Sequence, residues 1–463
     1  MAPMKFATPR LRYDSLWHLT ALGVLTRENM PNTWLPEDVK KPARVAMIDT
    51  SVAMDHPNLR PAINQKLAFD LFSTRLGAFP GLVGQSCLGD LGLGTAQGVV
   101  AGLPGCQALL DALDARLAPD QAPCIGTIQP ATSPVFSGHG TAIAGLIGAR
   151  PVVVPMAEAY RDDPRDTTLA LPYCGVDPTC EIIPISTNFD TDPEQMILAF
   201  LYAERIKADV IVLPRGIPDP FRMQPELYAH DLGGRNLGEL TAPCPVSDED
   251  RALWAELAEL IVKISLRRPI VCAAGNENEE YGIYPANLAS EDNGVISVGA
   301  VNAKGWACSY SPPSGLTVWA PSTDAESFVE GDVRLDMAQH RDDRHGIPRE
   351  NNNARFSRFE IISTDVPGQG GYSASPYDSA EPEDGLREFG SFFCRFGGTS
   401  AACAIIGGLL ALGRGLQKIP ANADGVEAKA WLLQNCVTPV ANQPNVCVPC
   451  LDGIGAFPVD TSS

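Results

Sequence analysis

Four short segments carry side chains that could together perform nucleophilic catalysis. Asp49 follows the apolar run 45–48, and His139 stands between two glycines. Asn276 comes shortly after a second apolar run, and Ser400 follows the sequence Gly-Gly-Thr. A serine hydroxyl attacks a carbonyl when a histidine takes its proton, a carboxylate orients that histidine and an amide stabilises the oxyanion. These four residue types are the ones that acyl transfer requires.

Each segment also has a purely structural explanation. Asp49 could cap a helix or bind a backbone amide, and His139 could be a histidine with satisfied internal contacts. The pair Gly275–Asn276 is common in turns, and Ser400 could be an ordinary helix N-cap. In favour of catalysis, the flanking glycines allow groups to approach His139 closely, and a helix is predicted to open there. A serine at a helix N-terminus likewise presents its hydroxyl and N–H outward.

The strands that would position these residues are short apolar runs. We predict six of them: Val45–Ile48, Glu181–Ile185, Asp209–Leu213, Ile270–Ala274, Val295–Val298 and Leu316–Ala320. The runs are almost continuously apolar, which is typical of strands covered on both faces.

Helical patterns alternate with these strands. Helices are predicted over 193–207, 248–267 and 426–435, and a fourth is predicted to begin near Ser400. Ser247 and Asp250 are spaced as a capping box for the second helix. Alternating strands and helices predict an α/β fold, a three-layer sandwich with a mostly parallel central sheet.

Several polar or Gly- and Pro-rich stretches interrupt this alternation. We predict an N-terminal extension over 1–40, one domain over 41–440 and a C-terminal tail over 441–463. Because long surface loops cost little closure entropy, we interpret five stretches as insertions into the domain: 77–134, 151–172, 217–246, 322–358 and 370–392. A separate small subdomain within 77–134 is the alternative.

Composition and charge narrow the range of partners. The chain has 463 residues, of which 45% are hydrophobic, and a net charge of −20. This charge disfavours nucleic acid and anionic membranes, and no run approaches the roughly 18 apolar residues of a membrane span. The N-terminal residues lack the pattern of a secretory signal. We therefore expect a cytoplasmic protein that binds neither nucleic acid nor membrane.

The cysteines and the acidic loop residues give no firm metal site. The 13 cysteines lack regular spacing, and without an export signal we expect reduced thiols. Cys447 and Cys450 form a Cys-X-X-Cys pair near Cys436, which hints at metal or redox chemistry but has no clear fourth ligand. The aspartates within 162–166 are interpreted as a solvated loop. We predict no metal and no cofactor.

The order Asp, His, Asn, Ser, each in its local context, resembles the subtilisin-like serine proteases. Other stretches resemble segments of the same family: Tyr173–Pro178, Tyr284–Ala286, Gly294–Ala300 and Ile362–Thr364 with Pro367–Gly368. The resemblance spans residues 40 to about 435 and suggests an intracellular member. It implies a catalytic triad of Asp49, His139 and Ser400, with Asn276 as the oxyanion donor.

The resemblance also implies where a substrate would bind. It assigns five substrate-binding residues: Arg215, Gly216, Ala274, Gly275 and Glu277. The family usually has Ser-Leu-Gly where this chain has Pro-Arg-Gly at 214–216. Pro214 has no N–H to offer a substrate, and the next residue is charged where an apolar wall is usual. We therefore expect restricted substrates.

Three glutamates, Glu277, Glu279 and Glu280, follow the oxyanion asparagine. They could favour a basic residue before the cleaved bond, or they could be solvated loop charges. Both interpretations stay open from the sequence.

The resemblance thus implies a serine endopeptidase that acts through an acyl-enzyme on protein or peptide substrates, with a regulatory partner protein as a further expectation. The alternative is a catalytically silent domain of the same fold that serves as a binding or scaffold protein.

Overall fold

The computed structural model describes most of the chain. The described residues are 16–25, 39–126, 134–155, 167–188, 191–219, 248–323, 360–366, 371–372, 392–453 and 455–457. Several predicted features lie outside them, including Ser247, the aspartates of 162–166 and most of the stretches 217–246, 322–358 and 370–392.

In the part of the chain that the structure describes, the central sheet has seven parallel strands. In chain order the strands are β1 (Arg44–Asp49), β2 (Phe69–Asp70), β3 (Val152–Pro155), β4 (Thr168–Leu171), β5 (Glu181–Ser186), β6 (Val210–Leu213), β7 (Ile270–Ala273), β8 (Val295–Val301), β9 (Val318–Pro321), β10 (Ile362–Thr364), β11 (Phe393–Arg395), β12 (Cys436–Val437) and β13 (Val448–Pro449). The sheet order is β2-β5-β1-β6-β7-β8-β9. Three antiparallel pairs, β3 with β4, β10 with β11 and β12 with β13, lie outside it. The predicted parallel α/β fold is confirmed.

Helices cover both faces of this sheet. They are α1 (Trp17–Ala21), α2 (Pro104–Arg116), α3 (Pro134–Gly148), α4 (Pro193–Arg205), α5 (Asp248–Ser265), α6 (Gly398–Gly415) and α7 (Gly425–Gln434). One apolar cluster joins α3, α6 and α7 to one face, and a second cluster joins α2, α4 and α5 to the other. The result is three layers.

Strand β1 shows why its sequence is continuously apolar. Val45 and Met47 belong to the first cluster, whereas Ala46 and Ile48 belong to the second, and all four are fully buried. Successive side chains of a strand point to opposite faces, so a strand covered on both sides needs apolar residues at every position. Burial of each large aliphatic side chain contributes about 1.5–3 kcal/mol.

Helix ends follow local signals. Asp192 caps α4 by accepting a hydrogen bond from Gln195 N at 2.7 Å, with proline at the first helical position. Helix α7 has a capping box that the sequence prediction missed, in which Asp424 accepts from Glu427 N and Glu427 accepts from Asp424 N, each at 2.9 Å. Such a box satisfies two N–H groups that have no partner inside the helix.

Helix α2 lies within the stretch 77–134, where the sequence predicted a surface insertion. Its Leu110 and Leu113 are fully buried in the cluster shared with α4 and α5. Glu256 of α5 accepts hydrogen bonds from Gly105 N at 3.1 Å and Cys106 N at 2.8 Å. A carboxylate at a helix N-terminus is favoured by the helix dipole, so this contact stabilises the packing of α2 against α5.

The segments near the two ends of the described chain pack together. Leu451 N donates to Leu22 O at 2.8 Å, and the rings of Trp17 and Phe457 lie 6.1 Å apart. Both segments contribute to the first apolar cluster.

The expectation of reduced thiols is wrong for one pair. Cys436 and Cys447 form a disulfide with a Cα–Cα distance of 5.3 Å, which joins the neighbourhoods of β12 and β13. Cys450, the other member of the Cys-X-X-Cys pattern, has its Sγ 3.3 Å from Ala21 O instead. The pattern that hinted at metal chemistry is therefore split between a disulfide and a buried thiol.

One described helix, α6, is long and apolar enough by composition to cross a membrane. However, 89% of this helix is buried inside the protein. Gly407 approaches β6 so closely that a Cβ there would lie 2.4 Å from Val212 Cγ2. In this structure α6 is a core helix.

A buried histidine connects the turn after β1 to the segment that leads to α6. His56 Nε2 lies 2.7 Å from Phe392 O, and Asn58 N donates to His56 Nδ1 at 3.1 Å. Because Nδ1 accepts, Nε2 carries the proton and donates, which defines a neutral ring. Burial lowers the pKa of His56 below its ordinary 6.5, despite opposing effects of Phe392 O and Asp55.

We predict that His56 makes the protein less stable in mild acid. Below pH 6.5 the unfolded chain binds a proton that folded His56 resists, so the free energy of unfolding decreases as pH falls through 6.5. Urea unfolding at about pH 7.5 and pH 5.5 should show that the wild type loses about 1 kcal/mol more than His56→Gln. Equal losses in the two proteins would contradict this.

Candidate active site

Asp49 ends β1, between the ends of β5 and β6. Its side chain is fully buried, and Oδ1 accepts a hydrogen bond from Thr50 N at 2.6 Å. Ligand sites in open α/β sheets lie beyond the carboxyl ends of the strands, where the chain order reverses. Here the chain passes from β5 over β1 to β6, so Asp49 stands at that point.

His139 faces Asp49 from α3. Its Nδ1 lies 2.9 Å from both carboxylate oxygens, and the side chain is 12% exposed. The expectation that a helix opens at His139 is wrong, because α3 begins at Pro134. The ring of Phe396 packs edge-on against the imidazole, with centroids 5.4 Å apart.

The loop after β1 holds α3 in register. Gly140 N donates to Thr50 Oγ1 at 3.1 Å, and Ala53 N donates to Thr141 Oγ1 at 3.0 Å. A Cβ on Gly140 would lie 2.6 Å from Thr50 O, so only glycine permits this approach. The flanking glycine predicted to allow close contact thus serves the protein's own backbone.

Ser400 is the third residue of α6 and therefore does not cap it; the N-cap is Gly397. Its Oγ donates to Pro214 O at 2.8 Å and, among the described residues, makes no hydrogen bond to His139. The side chain is partly exposed at the positive end of the helix dipole. The hydroxyl is thus turned toward the segment after β6.

Asn276 is oriented by Thr399, the residue before Ser400. Asn276 Oδ1 accepts from Thr399 N at 2.8 Å, and Thr399 Oγ1 lies 3.0 Å away. The whole amide lies close to Gly398, where a Cβ would be 3.0 Å from Nδ2 and 3.2 Å from Oδ1, and because Oδ1 accepts from Thr399, Nδ2 is left as the donor. Thr399 also accepts from Gly275 N at 3.0 Å, so it fixes both residues of the Gly-Asn pair.

Three of the residues predicted to bind substrate, Gly216, Ala274 and Gly275, contact Ile283, whereas Arg215 contacts Asn188. Gly216 and Gly275 both face Ile283: a Cβ on Gly216 would lie 2.7 Å from Ile283 Cδ1, and one on Gly275 would lie 2.8 Å from Cγ2. Ala274 is fully buried and accepts from Ile283 N at 2.8 Å. Arg215, in contrast, is 6% exposed and donates to Asn188 O at 2.8 Å.

The three glutamates after Asn276 differ in position. Glu277 and Glu280 are exposed, whereas Glu279 is half-buried. Glu279 Oε2 accepts from Glu277 N at 3.2 Å and lies 3.1 Å from where a Cβ on Gly275 would be. Glu279 is therefore the carboxylate beside the predicted substrate-binding segment.

Within the described ranges no three His, Cys, Asp or Glu side chains gather as metal ligands would. Buried Cys403 on α6 has its pKa raised well above its ordinary value by desolvation, so its thiol stays neutral.

Sequence reasoning missed three contributors to this site. Thr399 orients Asn276, Ile283 packs against two glycines, and Thr187 N donates to Asp49 O at 2.8 Å. The position of Thr399 next to Ser400 in the sequence could have drawn attention to it. Ile283 and Thr187 gave none, because only the folded chain brings them to the site.

The chain belongs to the subtilase family: the model of that family, whose members are serine proteases, matches residues 40–445. No curated protein matches the sequence of this chain.

Several solved structures are similar. Fervidolysin from Fervidobacterium pennivorans, a keratinolytic enzyme related to subtilisin, has a TM-score of 0.46 and 18% identity, with 96% of this chain and 46% of that chain covered. The A-subunit of the AB5 toxin from E. coli has a TM-score of 0.46 and 16% identity, with 95% of this chain and 96% of that chain covered. The Aeromonas sobria serine protease, in complex with a chaperone, has a TM-score of 0.46 and 15% identity, with 85% of this chain and 50% of that chain covered. This chain spans about half the length of fervidolysin and of the Aeromonas protease.

We predict that Gly398→Ala displaces the Asn276 amide. Gly398 has a φ of +71°, and the new Cβ would lie 3.0 Å from Asn276 Nδ2. Gly453→Ala is the matched control, because Gly453 has a φ of +66° with nothing within 4 Å of its Cβ position. Both variants should lose about 1 kcal/mol of stability from backbone strain.

Only Gly398→Ala should also slow reaction with a serine-directed fluorophosphonate, by about tenfold or more. The measurements are thermal unfolding and the labelling rate. Equal labelling rates for both variants would show that Gly398 does not act through Asn276.

Proposed function

We propose that this chain is a serine endopeptidase in which Ser400 is the nucleophile, His139 the general base and Asp49 the group that orients His139. The observation that supports it best is the pairing of His139 Nδ1 with both oxygens of buried Asp49 at 2.9 Å. With Nδ1 engaged, Nε2 is left to accept a proton from the nucleophile. The position of Ser400 at the start of α6 adds an N–H and a helix dipole.

The reaction begins with a change at Ser400. Its hydrogen bond to Pro214 O breaks, and rotation about Cα–Cβ turns Oγ toward His139. The hydroxyl proton passes to Nε2 as Oγ bonds to the scissile carbonyl carbon, while Asp49 stabilises the imidazolium. The same proton then goes to the leaving amine, and water hydrolyses the acyl-enzyme by the reverse sequence.

The oxyanion that forms at the carbonyl needs fixed donors. Asn276 Nδ2 and the Ser400 N–H are the proposed pair. Thr399 holds the Asn276 amide in one orientation through Oδ1 before substrate arrives. Donors that are already oriented stabilise developing charge without reorganisation during the reaction.

Two features support restricted substrates. Pro214 cannot donate a backbone hydrogen bond to a substrate strand. Ile283 packs against both Gly216 and Gly275, so it fills the space between two segments that are predicted to flank the substrate side chain. We propose that only a small side chain fits before the cleaved bond.

One observation favours the alternative of a silent domain. Ser400 Oγ is bonded to Pro214 O and not to His139. A regulatory partner that shifts the segment 214–216 would release the hydroxyl, and we include such a partner in the proposal. Location in the cytoplasm, and the lack of nucleic acid, membrane or cofactor partners, stay predictions from the sequence.

The proposed nucleophile is tested by fluorophosphonate labelling of the wild type and Ser400→Ala. We expect a covalent adduct on the wild type, located at Ser400 by peptide mass spectrometry, and none on the variant. An unlabelled wild type, also after limited proteolysis, would support the silent domain.

The proposed substrate restriction is tested with a peptide library and Ile283→Gly. We expect the wild type to cleave after Gly, Ala or Ser, and Ile283→Gly to accept larger residues at least about tenfold faster than the wild type does. Cleavage after Lys or Arg that is lost in Glu279→Gln, but kept in Glu280→Gln, would instead assign the preference to the Glu279 carboxylate.

A further inference from the structure

Arg215 occupies an unusual place in the sheet. It follows β6 by two residues, and its guanidinium donates to Asn188 O at 2.8 Å and to Thr187 Oγ1, just beyond β5. Strands β5 and β6 are not neighbours, because β1 lies between them. With strands about 4.8 Å apart, the side chain of Arg215 must span the carboxyl end of β1 to make these bonds.

The residue at that end of β1 is Asp49. Thr187, which binds the guanidinium, also donates its N–H to Asp49 O at 2.8 Å. Arg215 is 6% exposed, so little solvent screens its charge. Burial lowers the pKa of Arg215 and the nearby Asp49 carboxylate raises it, and a guanidinium stays protonated at every pH used for proteins.

We infer that Arg215 is a positioning residue that places a permanent positive charge beside the Asp49–His139 pair and ties the segment 214–216 to the loop 187–188. This inference rests on the proposed function. It differs from the substrate-binding role predicted for Arg215 from the sequence, because the guanidinium is directed into the protein.

The sign of the Arg215 charge sets the direction of its effect on Asp49 and His139. Among the described residues, ionisable groups that interact with Asp49 are His139 from α3, Arg215 from the end of β6 and Cys403 from α6. Cys403 is neutral, so Arg215 is the fixed cation of the set. A cation favours the Asp49 carboxylate and opposes a proton on His139. Removal of the Arg215 charge should therefore make protonation of the imidazole easier.

The test is the pH dependence of fluorophosphonate labelling in Arg215→Met and Arg215→Lys. The labelling rate falls at low pH, where the base is protonated. In Arg215→Met this fall should move to higher pH by about half to one unit, so that the labelling rate on this acid limb is about three- to tenfold lower than in the wild type. Arg215→Lys keeps the charge and loses the forked hydrogen bonds, so its acid limb should coincide with that of the wild type while its plateau is lower.

Arg414→Met is the matched control for losing a partly buried arginine. Arg414 donates to Pro420 O at 2.5 Å and Ala423 O at 2.8 Å at the far end of α6. The acid limb of the pH profile of Arg414→Met should coincide with that of the wild type. An unmoved limb in Arg215→Met, or an equal shift in Arg414→Met, would overturn the inference and leave Arg215 a structural residue.

A second readout separates this inference from the proposed function. NMR of ¹³C-histidine follows the titration of the His139 ring, identified by its loss in His139→Gln, whether or not the wild type reacts with the probe. A midpoint that rises in Arg215→Met supports the inference even if Ser400 is unreactive. Labelling of the wild type together with an unchanged midpoint would overturn the inference and leave the proposed function standing.

Discussion

The rest of the site depends on one buried charge, the carboxylate of Asp49. A buried ionised group is costly unless hydrogen bonds and opposite charge compensate for its lost hydration. Here the compensation comes from three directions: the Thr50 N–H, the imidazole of His139 and the charge of Arg215. Each comes from a different part of the chain, so the requirement to satisfy Asp49 also positions α3 and the segment after β6.

Close backbone contacts turn this local requirement into a rigid arrangement. Helices α3 and α6 pack on the same face of the sheet, and a Cβ on Gly408 would lie 2.8 Å from Ile147 O. A Cβ on Gly145 would lie 2.3 Å from Thr364 Oγ1, whose hydroxyl binds Thr141 O. Small residues let these backbones approach, and a well-packed core transmits any shift. His139 and Ser400 are therefore fixed by the packing of their helices.

Much of the fold could be predicted from the sequence because buried parallel strands need unbroken apolar runs. The six predicted strands lie within one or two residues of those seen, apart from β8, which continues to Val301. The two-residue strand β2 and the start of α3 were missed because neither has a distinctive pattern. The direction of Arg215, the packing of Ile283 and the pairing of Cys436 with Cys447 depend on tertiary contacts, which local patterns do not record.

The proposed nucleophile, Ser400, belongs to a core helix that lies late in the chain, and this has a consequence for biosynthesis. Asp49 lies on β1, whereas α6 begins at Gly398 and fills the space against β6, β7, β8 and β9. A nascent chain that has emerged from the ribosome only as far as β9 contains Asp49 and His139 but neither Ser400 nor the helix that packs against these four strands. Under the proposed function, the triad is therefore completed only when α6, a major part of the first apolar cluster, has been synthesised, so shorter nascent chains lack the group that would cleave their neighbours on a polysome.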